Sequence, residues 1–213
     1  MPGPAIKICG ISTADALSAA IKAQADYVGF VFYPPSPRHV ALAQAAELSA
    51  RAAGRSLRVG LFVDVSDALL GDAVAAAQLD ALQLHGSESP ARVAAIKARF
   101  GLPVWKALPV ASRADVQRAD AYAGAADLIL FDAKTPKGTL PGGMGLAFDW
   151  KLVTGWQGAS AWGLAGGLSA CNVAEAIRIT AAPLVDTSSG VESAPGVKDT
   201  ARIAACCAAA RHG

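Results

Sequence analysis

The sequence predicts an α/β protein of the (β/α)8 barrel class, and three observations carry that prediction. Short runs rich in Val, Ile, Leu and Phe recur along the chain, each followed by a longer Ala-rich stretch with apolar residues at i, i+3 or i+4. The short runs are continuously apolar rather than alternating, which suits a sheet covered on both faces; strict alternation of strand and helix implies parallel strands joined by crossovers. The length of 213 residues holds eight such units near the lower end of the roughly 200 to 400 residues usual for this fold. An open doubly wound sheet, with its usual set of about five or six strands, leaves two units over.

In order, strands are expected at 5–9 (AIKIC), 27–32 (YVGFVF), 58–63 (RVGLFV), 81–85 (ALQLH), 103–108 (PVWKAL), 127–132 (DLILFD), 161–166 (AWGLAG) and 183–187 (PLVDT). A helix is expected after each of the eight. Leu69, Leu70, Ala73, Val74 and Ala77 form one apolar helical stripe, and Val93, Ile96 and Phe100 form another. Ser89-Pro90 reads as an N-cap followed by a proline at the first helical position, and Asn172 with Glu175 has capping-box spacing. The Gly/Pro-rich interval 134–146 is the nearest candidate for a linker, but the same rhythm runs on both sides of it, so a single domain over 1–213 is expected.

Composition narrows the function. With 53% hydrophobic and 17% charged residues the chain is too apolar to be disordered and long enough to bury a core. The net charge of +2 comes from scattered basic residues, so neither nucleic acid nor a membrane surface is an expected partner, and nothing points to an obligate protein partner. The high mean hydropathy reflects 49 alanines, and no apolar run approaches the roughly 18 to 20 residues of a membrane span. MPGPAIKICG carries no secretory pattern, and cytoplasm is the expected location. Cys9, Cys171, Cys206 and Cys207 lack the spacing of a disulfide framework or a zinc site, and with only three histidines no metal is expected.

Barrels of this class carry their sites at the carboxyl ends of the strands. There the first run ends at Cys9, the second leads to Arg38, the fourth to His85, and the sixth to Asp132; the fifth contains Lys106. A thiol, a guanidinium, an imidazole and a carboxylate on one rim supply a base, an anion clamp and an acid. The loops 164–169 (LAGGLS) and 186–192 (DTSSGVE) bring Gly166, Gly167, Ser188, Ser189 and Gly190 to one side. Small residues there expose backbone N–H groups, the makings of a phosphate site for a phosphosugar. The stretch 133–145 exceeds the ~2 to 6 residues of ordinary βα loops and reads as a lid.

The motifs KICG (7–10), GFVFYPPSPR (29–38), LQLHG (82–86), WKA (105–107), FD (131–132), GGMG with FDW (142–150), LAGGL (164–168) and DTSSGVExxPGxKD (186–199) together resemble the phosphoribosylanthranilate isomerase family of tryptophan biosynthesis. The resemblance covers nearly the whole chain, in order, and departs from the family at Met144 and in SACNV (169–173). It implies a TIM barrel that rearranges N-(5-phosphoribosyl)anthranilate into 1-(2-carboxyphenylamino)-1-deoxyribulose 5-phosphate, with no metal or organic cofactor. It also implies Cys9 as general base, Asp132 as general acid and Arg38 as the anthranilate-binding arginine; His85, Gly142 and Gly143 are further candidates for substrate contact. Read as residues alone, a cysteine ending an apolar strand is most often small core filler, Asp132 fits a turn cap, and His85 a satisfied buried imidazole as well as a site-lining residue. Two rival readings stay open: another phosphosugar enzyme on the same fold, or a non-catalytic barrel that binds a phosphoribosyl ligand.

Overall fold

The computed structural model describes residues 3–135, 142 and 145–212. Eight parallel strands close into a barrel in sequence order: β1 (Ala5–Cys9), β2 (Tyr27–Val31), β3 (Leu57–Phe62), β4 (Ala81–Leu84), β5 (Val104–Val110), β6 (Leu128–Ala133), β7 (Ala161–Leu164) and β8 (Leu184–Thr187). Closure comes from β1 pairing with β8, in a register that sets Lys7 opposite Asp186. The expected strands all form, with ends moved by a few residues: β5 runs on to Val110, and β7 stops at Leu164, leaving Ala165 and Gly166 in the following loop.

Helices α1 (Ala14–Lys22), α2 (Leu42–Ala52), α3 (Asp67–Ala77), α4 (Pro90–Phe100), α5 (Arg113–Gln117), α6 (Val173–Thr180) and α7 (Thr200–His212) surround the barrel. The expectation of a helix after every strand fails once: among the described residues, β6 is followed only by a 3-10 turn at Trp150–Leu152. Its place against the sheet is filled by aromatic packing, with Trp156 edge-on to Phe131 at 5.4 Å. Ser89 caps α4 through the Arg92 N–H, with Pro90 at the first helical position, as the sequence indicates. A short hairpin, β9 (Glu192–Ala194) with β10 (Val197–Lys198), sits in the β8–α7 connection and was not expected from the sequence.

Each barrel strand has two faces, and alternation along it sorts the side chains. Ile6, Ile8, Val28, Phe30, Phe62, Leu82, Leu84, Ile129 and Phe131 pack outward beneath the helices. Val59, Ala81, Trp105, Leu128, Leu130 and Leu184 fill the amino-terminal end of the interior, where Tyr27 meets Trp105 edge-on at 5.0 Å. Apolar filling there makes the barrel a packed core and leaves its polar interior residues for the other end.

Lys106 belongs to the outer face, not to the rim constellation the sequence led us to inspect. Its Nζ donates to the carbonyls of Leu84 (3.2 Å) and Gly86 (2.7 Å) and to Glu88 Oε2 (2.9 Å). Burial pulls the Lys106 ammonium below its usual range, against the opposing pull of Glu88. Lys106 thereby fastens the turn that follows His85. The Tyr122 hydroxyl donates to the Glu88 carbonyl at 2.8 Å and holds the same turn from outside.

Candidate active site at the carboxyl end of the barrel

A cleft of about 690 Å³, counted out to its open mouth, lies at the carboxyl end of the strands, within the ~300 to 1,000 Å³ of small-molecule sites. Cys9, Arg38, His85 and Asp132 all line it, as do Gly166, Gly167, Ser188 and Ser189. The residues that the sequence brings to one rim therefore meet in one cavity. Gly143 and Met144 lie outside the described residues, as does most of the expected lid.

Cys9 ends β1 on its inner face, 4% exposed, with Val31 and Leu61 as apolar neighbours. Burial pushes its thiol up, against the pull of Lys7, while Asp186 adds to the rise. Beneath it, Lys7 is fully buried and its Nζ donates to both carboxylate oxygens of Asp186 at 3.0 Å. Asp186 is itself pushed up by burial, against Lys7.

Asp132, the penultimate residue of β6, faces inward from the far side of the cleft, three strands from β1 around the closed barrel. Its Oδ2 lies 3.0 Å from His85 Nε2, and its Oδ1 accepts the Ala133 N–H at 2.8 Å. His85 Nδ1 lies 3.2 Å from Gln83 Nε2, so the ring is held between Gln83 and Asp132. His85 is thus part of the cleft wall rather than core filler. Gly142, at φ +73°, crosses over this pair: a Cβ there would lie 2.9 Å from His85 Nε2 and 3.0 Å from Asp132 Oδ2.

Arg38 is not a swinging surface charge. Its Nε and Nη2 donate to the two oxygens of Glu192, both at 2.7 Å, in a bidentate pair. Lys198 Nζ donates to Glu192 Oε1 at 2.7 Å and to the carbonyl of Ser188 at 2.8 Å. Burial works to raise the Glu192 carboxyl, but the hydrogen bonds and charges of Arg38 and Lys198 outweigh it and hold the group below the usual carboxylate range. The arginine stem lies on Gly10, at φ +76°, where a Cβ would come within 2.7 Å of Arg38 Cδ. The glycine of KICG is therefore required both by its backbone angle and by the arginine that crosses it.

A further wall of the cleft is built from the two glycine- and serine-rich turns. Gly166 (φ +85°) and Gly167 (φ +64°) occupy left-handed backbone angles. Asn172 does not form the expected capping box; its Oδ1 accepts the Ser169 N–H (2.8 Å) and its Nδ2 donates to the Gly167 carbonyl (3.0 Å). Asn172 is more useful to the loop than to the helix, since it braces the turn that carries the glycines. Ser188 and Ser189 face the cleft, with the Ser188 hydroxyl donating to the Cys9 carbonyl at 3.1 Å. Gly190 instead packs against the Leu168 carbonyl, where no side chain fits, and joins the two turns.

Sequence reasoning passed over Lys7, Gln83, Asp186, Glu192 and Lys198. The signal for the first was present: Lys7 is a charge inside an apolar strand, two residues from Cys9 and so on the same face. Glu192 and Lys198 gave none, because their roles depend on a hairpin whose strands are too short for a period to show.

Comparison with known proteins agrees with this geometry. A family model described as N-(5'phosphoribosyl)anthranilate (PRA) isomerase matches residues 6–209. The N-(5'-phosphoribosyl)anthranilate isomerase of Paramagnetospirillum magneticum is 54% identical over 209 residues, covering 98% of this chain and 97% of its own. That of Paracoccus denitrificans is 57% identical over 199 residues, covering 93% of each. Among solved structures, phosphoribosyl anthranilate isomerase from Thermotoga maritima superposes with a TM-score of 0.88 at 35% identity, covering 99% of this chain and 100% of that one. A phosphoribosyl anthranilate isomerase in complex with reduced 1-(o-carboxyphenylamino)-1-deoxyribulose 5-phosphate superposes with a TM-score of 0.86 at 33% identity, with 99% and 100% covered. On these grounds, together with the closed barrel and its cleft, the chain belongs to the N-(5'-phosphoribosyl)anthranilate isomerase family.

Proposed function

We propose that this protein converts N-(5-phosphoribosyl)anthranilate to 1-(2-carboxyphenylamino)-1-deoxyribulose 5-phosphate in tryptophan biosynthesis, with Asp132 as general acid and Cys9 as general base. The observation that carries the assignment of roles is that both lie at the carboxyl ends of strands on opposite sides of the barrel and line one cleft. A substrate ring lies between them. Asp132 delivers a proton to the furanose ring oxygen, the C1'–O bond breaks, and the anilino nitrogen takes up the charge as an iminium. That cation acidifies C2', and Cys9 removes its proton to give an enolamine. Loss of the O2' proton and gain of a proton at C1' complete the ketone. One carbon is oxidised as its neighbour is reduced, so the electrons balance within the substrate.

The two anionic ends of the substrate suit the two walls. The anthranilate carboxylate goes to Arg38, whose guanidinium plane is fixed by Glu192, and the phosphate to the turns holding Gly166, Gly167, Ser188 and Ser189. Gly142 and His85 cover the centre. A thiol that must stay reduced to act as a base suits a reducing compartment, and we assign the protein to the cytoplasm. Among the described residues no helix is long and apolar enough to cross a membrane.

Loss of phosphoribosylanthranilate fluorescence on adding the protein tests the function; saturable binding without turnover would favour the non-catalytic barrel. Arg38→Ala is expected to weaken binding by about 1.5 to 3 kcal/mol, the value of a hydrogen bond to a charged group, while kcat changes little. Unchanged KM in that variant contradicts the clamp. Crystals grown with inorganic phosphate are expected to hold an anion against Gly166, Gly167, Ser188 and Ser189. A bound substrate whose phosphoryl end lies elsewhere contradicts that assignment.

A further inference from the structure

We infer that Lys7 is a positioning residue for Cys9: its ammonium, fixed by Asp186, holds the sulfur at the cleft floor and counters the charge the sulfur acquires as a base. This rests on the reading of Cys9 as the base. The geometry starts from β1, where Lys7 and Cys9 stand two residues apart on the inner face. Lys7 is fully buried in a barrel otherwise filled near its base by apolar side chains, so its charge is there at a desolvation cost that Asp186 offsets. The Lys7 charge acts on the Cys9 side chain as well, pulling the thiol down against burial.

Space for Lys7 and Cys9 to face one another is made by Gly29 on β2, the register partner of Cys9. A Cβ at Gly29 would lie 2.9 Å from Cys9 Sγ and 3.2 Å from Lys7 Nζ, so the absent side chain is what lets the two atoms share one corner. The glycine that opens the GFVF motif thereby acquires a physical reason beyond strand packing. Among the described residues, the other charges facing this corner are Asp186 from β8 and Lys198 from β10. Arg38 acts on Lys198, and Asp132 and His85 act on Asp186 from across the cleft. In the resting protein Lys7 and Asp186 neutralise each other. A Cys9 thiolate then adds a negative charge that Lys7 attracts and that Asp186 opposes.

Lys7 and Asp186 should therefore move the sulfur in opposite directions, which a general loss of structure does not do. The test is the pH dependence of iodoacetamide alkylation at Cys9, read by mass spectrometry in a Cys171→Ser background that removes the exposed thiol. Lys7→Met is expected to move the alkylation midpoint up by one pH unit or more, and Asp186→Asn to move it down. Gly29→Ala keeps every charge and wedges Sγ from Nζ, so it is expected to move the midpoint up; this variant decides the matter if Lys7→Met does not fold. Shifts of the same sign in Lys7→Met and Asp186→Asn, or an unmoved midpoint in folded Gly29→Ala, overturn the inference. If the midpoints move as expected while the pH profile of kcat/KM does not follow, Lys7's hold on the sulfur stands and the reading of Cys9 as the base fails.

Discussion

Cys9→Ala is expected to lower kcat by about 10²- to 10⁴-fold, the range for losing a positioned general base. The substitution removes one buried sulfur, leaves Lys7 paired with Asp186, and touches neither the Arg38–Glu192 pair nor the two glycine-rich turns. KM should therefore change little, which separates loss of the base from loss of the fold. Near-normal turnover would remove Cys9 from the mechanism. The pH dependence has a defined sign. A base works only when deprotonated, and burial holds the Cys9 thiol above its ordinary range. Iodoacetamide alkylation of wild-type Cys9, which reads the thiolate alone, should therefore climb with pH through neutrality and continue to climb beyond about 8.5, the usual thiol value. An alkylation plateau reached well below that value contradicts a thiol held up by burial.

Asp132→Asn is expected to cost a similar factor of about 10²- to 10⁴-fold in kcat, for the complementary reason. Asparagine has the shape of aspartate, and its amide can still hydrogen-bond His85 Nε2, which lies 3.0 Å from Oδ2. The wall is kept, but the proton for the ring oxygen is gone. Normal binding of substrate with blocked ring opening is the expected result, and unchanged kcat would show that another group supplies the acid.

The barrel was legible because its evidence is periodic and repeated. Eight apolar runs report a buried parallel sheet independently of one another, and an error at one end of β5 or β7 does not disturb the rest. The helix expected after β6 failed because its place is taken by the aromatic cluster of Phe131, Trp156 and Trp162, which no helical spacing announces. At the site, residues at strand ends could be read directly, since topology alone brings Cys9, His85 and Asp132 to one rim. Lys106 misled for the same reason in reverse: a polar residue in a strand has two faces to choose from, and here it turned outward to Glu88. The Lys7–Asp186 pair escaped notice because each residue is explicable only by the other, 179 positions away. Asn172 likewise has the spacing of a helix cap, yet serves the Gly167 turn, a choice decided by tertiary contacts.

The central claim is that acid and base act on different atoms in successive steps from opposite sides of one cleft. Single-turnover kinetics with substrate deuterated at C2' test it most directly. Cys9→Ala makes removal of the C2' proton the slow step, so a full primary isotope effect is expected there. Asp132→Asn makes ring opening slow, so its isotope effect should vanish. An isotope effect retained in Asp132→Asn and absent in Cys9→Ala would contradict the account.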